Sequence, residues 1–272
     1  MRTSAPRDVE DIARGRRFAF GRNWRRFLAT VSEARIAEAE RSLAEMLGVT
    51  DLSGKRFLDI GCGSGLFGLA ARRLGAHVHG FDDDPESVAC ARDLKNRFAA
   101  DDAGWVIEQG SVLDAEWLAS LGGFDVVYAW GVLHHTGDMA RALENAAAAV
   151  AGGGRLFIAI YNDQGWISRY WTQVKRLYSA SAPARPLLVL VHCPYLFGAR
   201  FAVRALRGRL MLERGMSLWR DMIDWLGGYP FEVAKPDAIV AFHRERGFAA
   251  LRVKTCGRRH GCNEFVFERT RR

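Results

Sequence analysis

The sequence predicts an α/β protein with a mainly parallel central sheet and helices on both faces. Five apolar segments that read as strands are interleaved with helical segments, which is the pattern of a βαβ series. The first of these strands runs directly into a glycine-rich loop. The 272-residue chain is 49% hydrophobic and 26% charged, which is an ordinary globular composition.

The predicted elements follow in order along the chain. A helix is expected over residues 25–48, where Gly48 ends it. The series then comprises strands at 55–60, 77–82, 105–111, 124–130 and 155–161, and helices at 66–75, 85–98 and 139–154. After an irregular stretch we expect a helix at 235–247 and an antiparallel hairpin of strands 250–256 and 262–270, because a short turn joins them.

The glycine loop "GCGSGLFG" (61–68) contains a dinucleotide-type G-x-G-x-x-G at 63–68. Counted from the end of the strand at Gly61, however, the third glycine position holds Leu66. Asp59 precedes the loop, and a carboxylate there would repel the phosphates that such a loop cradles. Acidic residues also fill 82–84. These features favour a ligand with a cationic amino group and leave a dehydrogenase as a weaker alternative.

Ligands of parallel α/β sheets bind outside the carboxyl ends of the strands. In this chain those ends are predicted at 59–65, 82–84, 110–112, 130–135 and 161–162.

Five quoted segments together resemble the class I S-adenosylmethionine-dependent methyltransferases: "FLDIGCGSG", "VHGFDDDP", "QGSVLD", "FDVVYAWGVLHH" and "VAGGGRLFIAIY". The resemblance covers about residues 50–162 and the terminal hairpin, and it is nearest to the ubiquinone-biosynthesis and small-molecule O-methyltransferase group. It implies a Rossmann-like seven-stranded sheet with an antiparallel last strand beside strand five and a helical insertion after strand five. Ser111 stands where many relatives carry Asp, so the contact with the adenine amino group would fall to the Val112 backbone or to Asp114.

The sequence divides into four predicted segments. Residues 1–50 would form an N-terminal helical lid, and residues 51–162 the cofactor-binding core. Residues 163–233 would form a helical, basic and aromatic cap over the acceptor, and residues 234–272 the helix and hairpin that complete the sheet.

S-adenosylmethionine is the implied cofactor. Asp59 and Gly61 would hold its methionyl end, and Asp82 its ribose hydroxyls. Asp83 and Val112 would flank the adenine, while Trp130 and Gly131 would line the sulfonium side. The full implied set is Asp59, Gly61, Cys62, Gly63, Asp82, Asp83, Ser111, Val112, Trp130 and Gly131.

Methyl transfer to a hydroxyl or amine also needs the removal of a proton, for which a base with a pKa near neutral is suited. The candidate bases are His134, His135, Tyr161 and His260. The alternative for "LHH" is a packing or helix-capping role. On the acceptor side we expect Asn162 and Asn263 to be neighbours, and Phe20, Arg22 and Trp24 to belong to a lid or to a surface helix.

The net charge of +8 is concentrated in one segment, because residues 164–214 contain nine Lys/Arg and a single acid, Glu213. Such a segment favours an anionic acceptor or an anionic membrane surface, or is a solvated face. The uncharged run 186–199 is too short to span a bilayer, and Arg200, Arg204 and Arg207 follow it at helical spacing. A cap over the acceptor is favoured over membrane contact, and a homodimer is a further option.

The sequence thus predicts a methyltransferase that acts on an oxygen of a small, sugar-linked or lipid-linked metabolite. An RNA methyltransferase is one alternative, although nucleic acid is not expected because no appended RNA-binding module is recognised. A non-catalytic S-adenosylmethionine-binding scaffold is another. Five scattered cysteines, no 18-residue apolar run and an N-terminus unlike a secretory signal favour the cytoplasm. No metal is expected, because Cys256, His260 and Cys262 lack a fourth ligand.

Overall fold

We describe a computed structural model of the chain that covers residues 21–199, 218–257 and 261–271. A seven-stranded sheet forms its centre, with the strand order β3-β2-β1-β4-β5-β7-β6. The strands are β1 Arg56–Ile60, β2 His77–Asp82, β3 Trp105–Gln109, β4 Phe124–Trp130, β5 Val150–Tyr161, β6 Phe248–Lys254 and β7 Cys262–Arg269.

Strands β1 to β5 run parallel to one another, whereas β7 runs antiparallel to both β5 and β6. Strand β6 therefore points in the same direction as β5. The predicted fold class is confirmed, including the antiparallel last strand and its position beside strand five.

The helices surround this sheet. They are α1 Gly21–Leu28, α2 Glu33–Leu47, α3 Leu66–Arg73, α4 Pro85–Phe98, α5 Ala115–Ser120, α6 Met139–Ala148, α7 Trp166–Ala180, α8 Ala184–Cys193, α9 Leu218–Gly227 and α10 Pro236–Arg244. A 3-10 turn, Leu133–His135, follows β4, and a π-helical turn, Pro194–Ala199, continues α8. None of the helices in the described ranges is long and apolar enough to cross a membrane.

Three element predictions are wrong in detail. The helix expected over 25–48 is two helices, because both the backbone N–H and the hydroxyl of Thr30 donate to the Phe27 carbonyl and turn the chain after α1. The helix expected to reach residue 154 ends at Ala148, since Val150 already pairs with Phe124 of β4. The short helix α5 was not predicted; the Asp114 carboxylate caps it by accepting from the Trp117 N–H.

Apolar side chains pack against both faces of the sheet. One face buries Phe57, Tyr128 and Phe157 beneath helices α2, α3 and α4. The other buries Leu58, Val127 and Ile158 beneath α6 and α10. Because side chains alternate between the faces of a strand, Asp59, Tyr128 and Trp130 lie on the first face.

The helices after β5 build a separate small core. Trp171, Met222 and Phe231 are buried there, and Tyr161 from the end of β5 packs against them. The segment is thus attached at the carboxyl edge of the sheet, which is the edge where the site is predicted.

Candidate functional site

The carboxyl ends of β1, β2 and β4 meet around the glycine loop. Asp59 of β1 lies opposite Gly80 of β2 on one side and Tyr128 of β4 on the other. After β1, the Cys62 N–H donates to the Phe81 carbonyl at 2.9 Å, which folds the loop over the end of β2. The predicted residues Asp59, Gly61, Cys62, Gly63 and Asp82 are therefore brought together.

Two glycines of this loop allow other segments to approach closely. Gly61 and Gly63 have φ angles of 66° and 53°, which residues with a side chain rarely adopt. A Cβ at Gly61 would lie 2.5 Å from the Val132 side chain, and one at Gly63 would lie 2.9 Å from the Trp24 indole. The glycines are needed both for the turn and for contact with the segment after β4 and with α1.

The Asp82 carboxylate is anchored by backbone donors at the mouth of this loop. Its Oδ2 accepts from the Gly63 N–H at 2.9 Å, and its Oδ1 accepts from the Asp84 N–H at 3.0 Å. Asp84 in turn caps α4 and accepts from the Gly21 N–H at 2.9 Å. Through this contact α1, which carries Trp24, is attached to the same edge.

Asp59 is a buried carboxyl group with no cation beside it in the described structure. Its side chain is 2% exposed, and its Oδ2 has no hydrogen-bond partner of normal geometry. Burial, and to a lesser extent the charge of Asp82, raise the pKa of Asp59 to about 7, although the Gly68 N–H acts in the opposite direction. A buried acid of this kind gains most from a cationic partner.

The residues expected beside the adenine follow β2 and β3. Asp83 lies half-buried after β2, and its carbonyl accepts from the Gln109 side chain at 3.0 Å. Val112 is buried, and its carbonyl accepts from Asn145 at 2.8 Å. The Asp114 carboxylate caps α5, and the Ser111 Oγ accepts from the Leu113 N–H at 3.4 Å.

Trp130 and Gly131 end β4 next to the glycine loop. Gly131 has φ 74° and would have no atom within 4 Å of an added Cβ, so the space beside it is open. The Trp130 Nε1–H donates to Glu264 Oε1 at 2.9 Å. Glu264 was missed by the sequence reasoning, because only the register of β4, β5 and β7 brings it to Trp130.

His134 is completely buried in the turn after β4. Its ring lies 4.2 Å from the Tyr161 ring and 4.5 Å from the His135 ring, centroid to centroid. Neither ring nitrogen has a hydrogen-bond partner of normal geometry. Burial, with the nearby charges of His135 and Lys175, holds the pKa of His134 well below its usual range, so the ring is neutral.

His135 is held in a defined orientation. Its Nδ1 lies 2.6 Å from the Pro230 carbonyl oxygen. Because a carbonyl only accepts, Nδ1 carries the hydrogen, and in the neutral ring Nε2 is then the nitrogen that can accept a proton. Tyr161, by contrast, is enclosed by aromatic rings, with Phe231 at 5.0 Å and Trp225 at 5.5 Å.

Asn162 and Asn263 are neighbours, as expected, but their polar atoms bond within the protein. The Asn263 Nδ2 donates to Asn162 Oδ1 at 3.1 Å, and its Oδ1 accepts from the Cys256 N–H at 3.0 Å. The Asn162 Nδ2 donates to the Gly257 carbonyl at 2.9 Å. The pair fastens the β6–β7 turn to the end of β5.

Some predicted residues lie outside the described residues. These are Phe20, the side chain of Arg22, and His260. Within the described ranges, no group of three or more His, Cys, Asp or Glu side chains is arranged to hold a metal ion.

Residues 31–200 match the model of a family described as "Methyltransferase domain". Among curated proteins, the chain is 35% identical over 116 residues to a ubiquinone biosynthesis O-methyltransferase of Methylobacterium sp. (strain 4-46), covering 43% of this chain and 45% of that protein. The corresponding protein of Xylella fastidiosa (strain 9a5c) is 38% identical over 111 residues, covering 41% and 44%. The chain thus matches under half the length of these relatives.

Solved structures share the fold. The magnesium protoporphyrin IX methyltransferase of Synechocystis PCC 6803 with bound SAH aligns with a TM-score of 0.58 at 15% identity, covering 96% of this chain and 100% of that one. The [4+2]-cyclase SpnF aligns with a TM-score of 0.55 at 13% identity, covering 86% and 80%. The resemblance drawn from the motifs is thereby confirmed at the level of family and fold.

The raised pKa of Asp59 predicts a pH-dependent effect of Asp59→Asn on the ligand-free protein. Between the unfolded value of 3.8 and the folded value of about 7, the folded state binds more protons, so its stability falls as pH rises. The amide of Asp59→Asn does not titrate, so the variant does not lose this stability. Between pH 5 and pH 8, the free energy of unfolding of the variant, relative to that of the wild type, should therefore rise by about 2–3 kcal/mol.

Urea unfolding at the two pH values measures this difference. Asp93→Asn, on the exposed side of α4, is the matched control and should show no such gain. A constant difference between Asp59→Asn and the wild type across this pH range would contradict the interpretation of Asp59.

Proposed function

Because the chain belongs to the methyltransferase-domain family, we propose that it transfers a methyl group from S-adenosylmethionine to an oxygen of a small, sugar-linked or lipid-linked metabolite. The similarity to ubiquinone biosynthesis O-methyltransferases supports oxygen as the acceptor atom and a small molecule as the acceptor. One structural observation carries the proposal: the buried Asp59 carboxyl at the glycine loop, which has no cation beside it in the described structure.

The polar groups of the site fit this cofactor. Asp59 would hold the methionyl ammonium, because an adjacent cation lowers the pKa of a buried acid and offsets its burial. Asp82 would accept from the ribose hydroxyls, since its position is fixed by the N–H groups of Gly63 and Asp84. The same two carboxylates disfavour the phosphates of a dinucleotide.

When bound, S-adenosylmethionine supplies an activated methyl group, so the protein mainly has to align the acceptor and remove its proton. We propose that His135 is the base, because its bond to Pro230 leaves Nε2 as the accepting nitrogen. His134 is the weaker candidate, since complete burial lowers its pKa, which makes it a poorer proton acceptor, and keeps its ring away from solvent. Tyr161 would serve as an aromatic wall.

The helical segment after β5 would cover the acceptor. The Glu232 N–H donates to the His134 carbonyl at 3.0 Å, and the Glu232 carboxylate accepts from the Met139 N–H at 3.0 Å. Together with the bond between His135 and Pro230, these contacts fasten the segment to the turn after β4. The cap would therefore lie beside the proposed base.

Two other functions would give different results in the labelling assay described below. A cofactor-binding scaffold would bind S-adenosylmethionine and transfer nothing, although the retained Asp59 and Asp82 favour an active site. An RNA methyltransferase would label nucleic acid, and the similarity to small-molecule enzymes does not support it.

Incubation of the purified protein with methyl-labelled S-adenosylmethionine and an extract of its source cells tests the proposal, and mass spectrometry identifies the product. We expect a small labelled metabolite with an added methyl ether or ester. Binding of the cofactor without label in any product would support the scaffold, and absence of binding would refute the proposed cofactor.

The same assay separates the two histidines. His135→Ala should lower the rate of label transfer by about 10²- to 10⁴-fold while cofactor binding is retained, because a positioned base contributes that much. Added imidazole should restore part of the rate. His134→Asn should mainly lower the free energy of unfolding. A His135→Ala protein with a rate near that of the wild type would exclude His135 as the base.

We further propose that the hairpin of α7 and α8 rests on an anionic membrane surface, where a lipid-linked acceptor would be found. Of the ten large apolar side chains that are exposed in the described residues, seven lie on this hairpin or the turn after it: Trp166, Tyr170, Leu177, Leu187, Leu190, Val191 and Tyr195. The Tyr170 hydroxyl lies 2.6 Å from His192 Nε2 and joins the two helices.

The charge around this face supports an anionic lipid over a second copy of the chain. Exposed Arg169, Arg176 and Arg185 accompany the apolar side chains, and residues 164–212 contain no Asp or Glu. In a symmetric dimer the same face would meet itself, so two strongly cationic surfaces would be opposed. Cationic and aromatic side chains on one helical face are typical of binding at a membrane interface.

Co-sedimentation with vesicles tests this surface. The protein should bind phosphatidylcholine vesicles that contain about one third phosphatidylglycerol, and bind much less to phosphatidylcholine alone or at high salt. Replacing Leu187 and Leu190 with Glu should abolish binding. The matched control replaces the exposed Leu251 and Val253 of β6 with Glu. Equal binding to both vesicle types, or loss in the control, would overturn the proposal.

A further inference from the structure

Four residues form one row across the carboxyl edge of the sheet. Trp130 of β4 lies opposite Ala159 of β5, which in turn lies opposite Glu264 of β7. Lys254 of β6 lies opposite Glu264 on its other side. Residues that pair in this way point to the same face of a sheet, so the four side chains share the face that also carries Asp59.

Contacts join this row from end to end. The Trp130 Nε1–H donates to Glu264 Oε1 at 2.9 Å, and Ala159 of β5 lies between these two residues in the register. The Lys254 Nζ lies 3.3 Å from Glu264 Oε2. The Glu264 side chain is 14% exposed, whereas that of Lys254 is 70% exposed. The bond to Trp130 is therefore the sheltered one, and the ion pair faces solvent.

We propose that Glu264 is a positioning residue that fixes the Trp130 indole at the end of β4. The inference rests on the proposed function, in which Trp130 lines the sulfonium side of the cofactor. A hydrogen bond to a carboxylate is stronger than one to a neutral acceptor and holds its donor more firmly. A fixed indole can then offer its π face to a sulfonium cation, which aromatic faces attract.

Glu264 can act on the cofactor in two ways that substitutions distinguish. If its charge acts directly on the cofactor, Glu264→Gln should weaken cofactor binding, and the loss of affinity should be the same whether residue 130 is Trp or Phe. If Glu264 instead acts by holding the Trp130 indole, Glu264→Gln should keep most of the cofactor affinity, because the amide oxygen still accepts the hydrogen bond from the indole N–H. The loss on Glu264→Ala should then vanish once Trp130 is Phe, as in a double-mutant cycle.

Calorimetry with S-adenosylmethionine and S-adenosylhomocysteine is the test. Glu264→Ala should weaken binding of the sulfonium ligand by roughly 3- to 10-fold and that of the product, whose sulfur is uncharged, by less than about two-fold. Trp130→Phe should give a similar loss, with little further change when Glu264→Ala is added. Glu268→Ala, an exposed acid on the same strand, is the matched control and should leave both affinities unchanged.

The indole N–H signal of ¹⁵N-labelled protein provides a readout without ligand. The Trp130 signal, identified by its loss in Trp130→Phe, should shift in Glu264→Ala and stay near its place in Lys254→Ala. If the wild type binds neither ligand, the proposed function fails. If it binds both, the role of Glu264 would be overturned by either of two results. Glu264→Ala could lose the same affinity for both ligands, or it could still lose affinity for S-adenosylmethionine in the Trp130→Phe background.

Discussion

The site depends on one unfavourable interaction, the burial of the Asp59 carboxyl group. Burial and the neighbouring Asp82 raise its pKa to about 7, and its Oδ2 has no hydrogen-bond partner of normal geometry. Such a group weakens the folded state at neutral pH unless a cation accompanies it. We interpret this cost as the stability that the protein gives up in order to select a ligand with an ammonium group.

The segments next to the glycine loop enclose the Asp59 carboxyl group. The glycine loop bends so tightly that side chains at Gly61 or Gly63 would collide with Val132 or Trp24. The first of these neighbours belongs to the turn after β4 and the second to α1, which is held by the contact between Gly21 and Asp84. The carboxyl edge of the sheet is therefore closed from two sides around one loop, and the row from Trp130 to Glu264 extends this wall across β5.

The sequence was sufficient for the position of most strands and for the glycine loop, because both depend on local patterns. Strands β2 and β4 and helix α4 have the predicted bounds, whereas the cap that Asp84 provides for α4 was not predicted. The break after Leu28 was missed because it depends on the Thr30 hydroxyl. The first part of β5, residues 150–154, was missed because its glycines favour the end of a helix, whereas the pairing of Val150 with Phe124 of β4 makes it part of the strand.

The acceptor side was less predictable, because its contacts join residues that are far apart in the chain. Pro230 orients His135 from the insertion, and Glu264 reaches Trp130 only through the register of three strands. Sequence reasoning placed both asparagines as neighbours, yet it could not show that they bond to each other. A single sequence carries no signal for such pairings.

Proton-linked calorimetry measures whether the ammonium group of the cofactor displaces the proton of Asp59. With S-adenosylmethionine titrated near pH 6 into the protein in buffers of different ionisation enthalpy, an ammonium seated on Asp59 should expel the proton that this carboxyl holds. We expect the wild type to release nearly one proton for each cofactor molecule that it binds, and Asp59→Asn to release almost none. Binding without proton release, or equal release by both proteins, would contradict it.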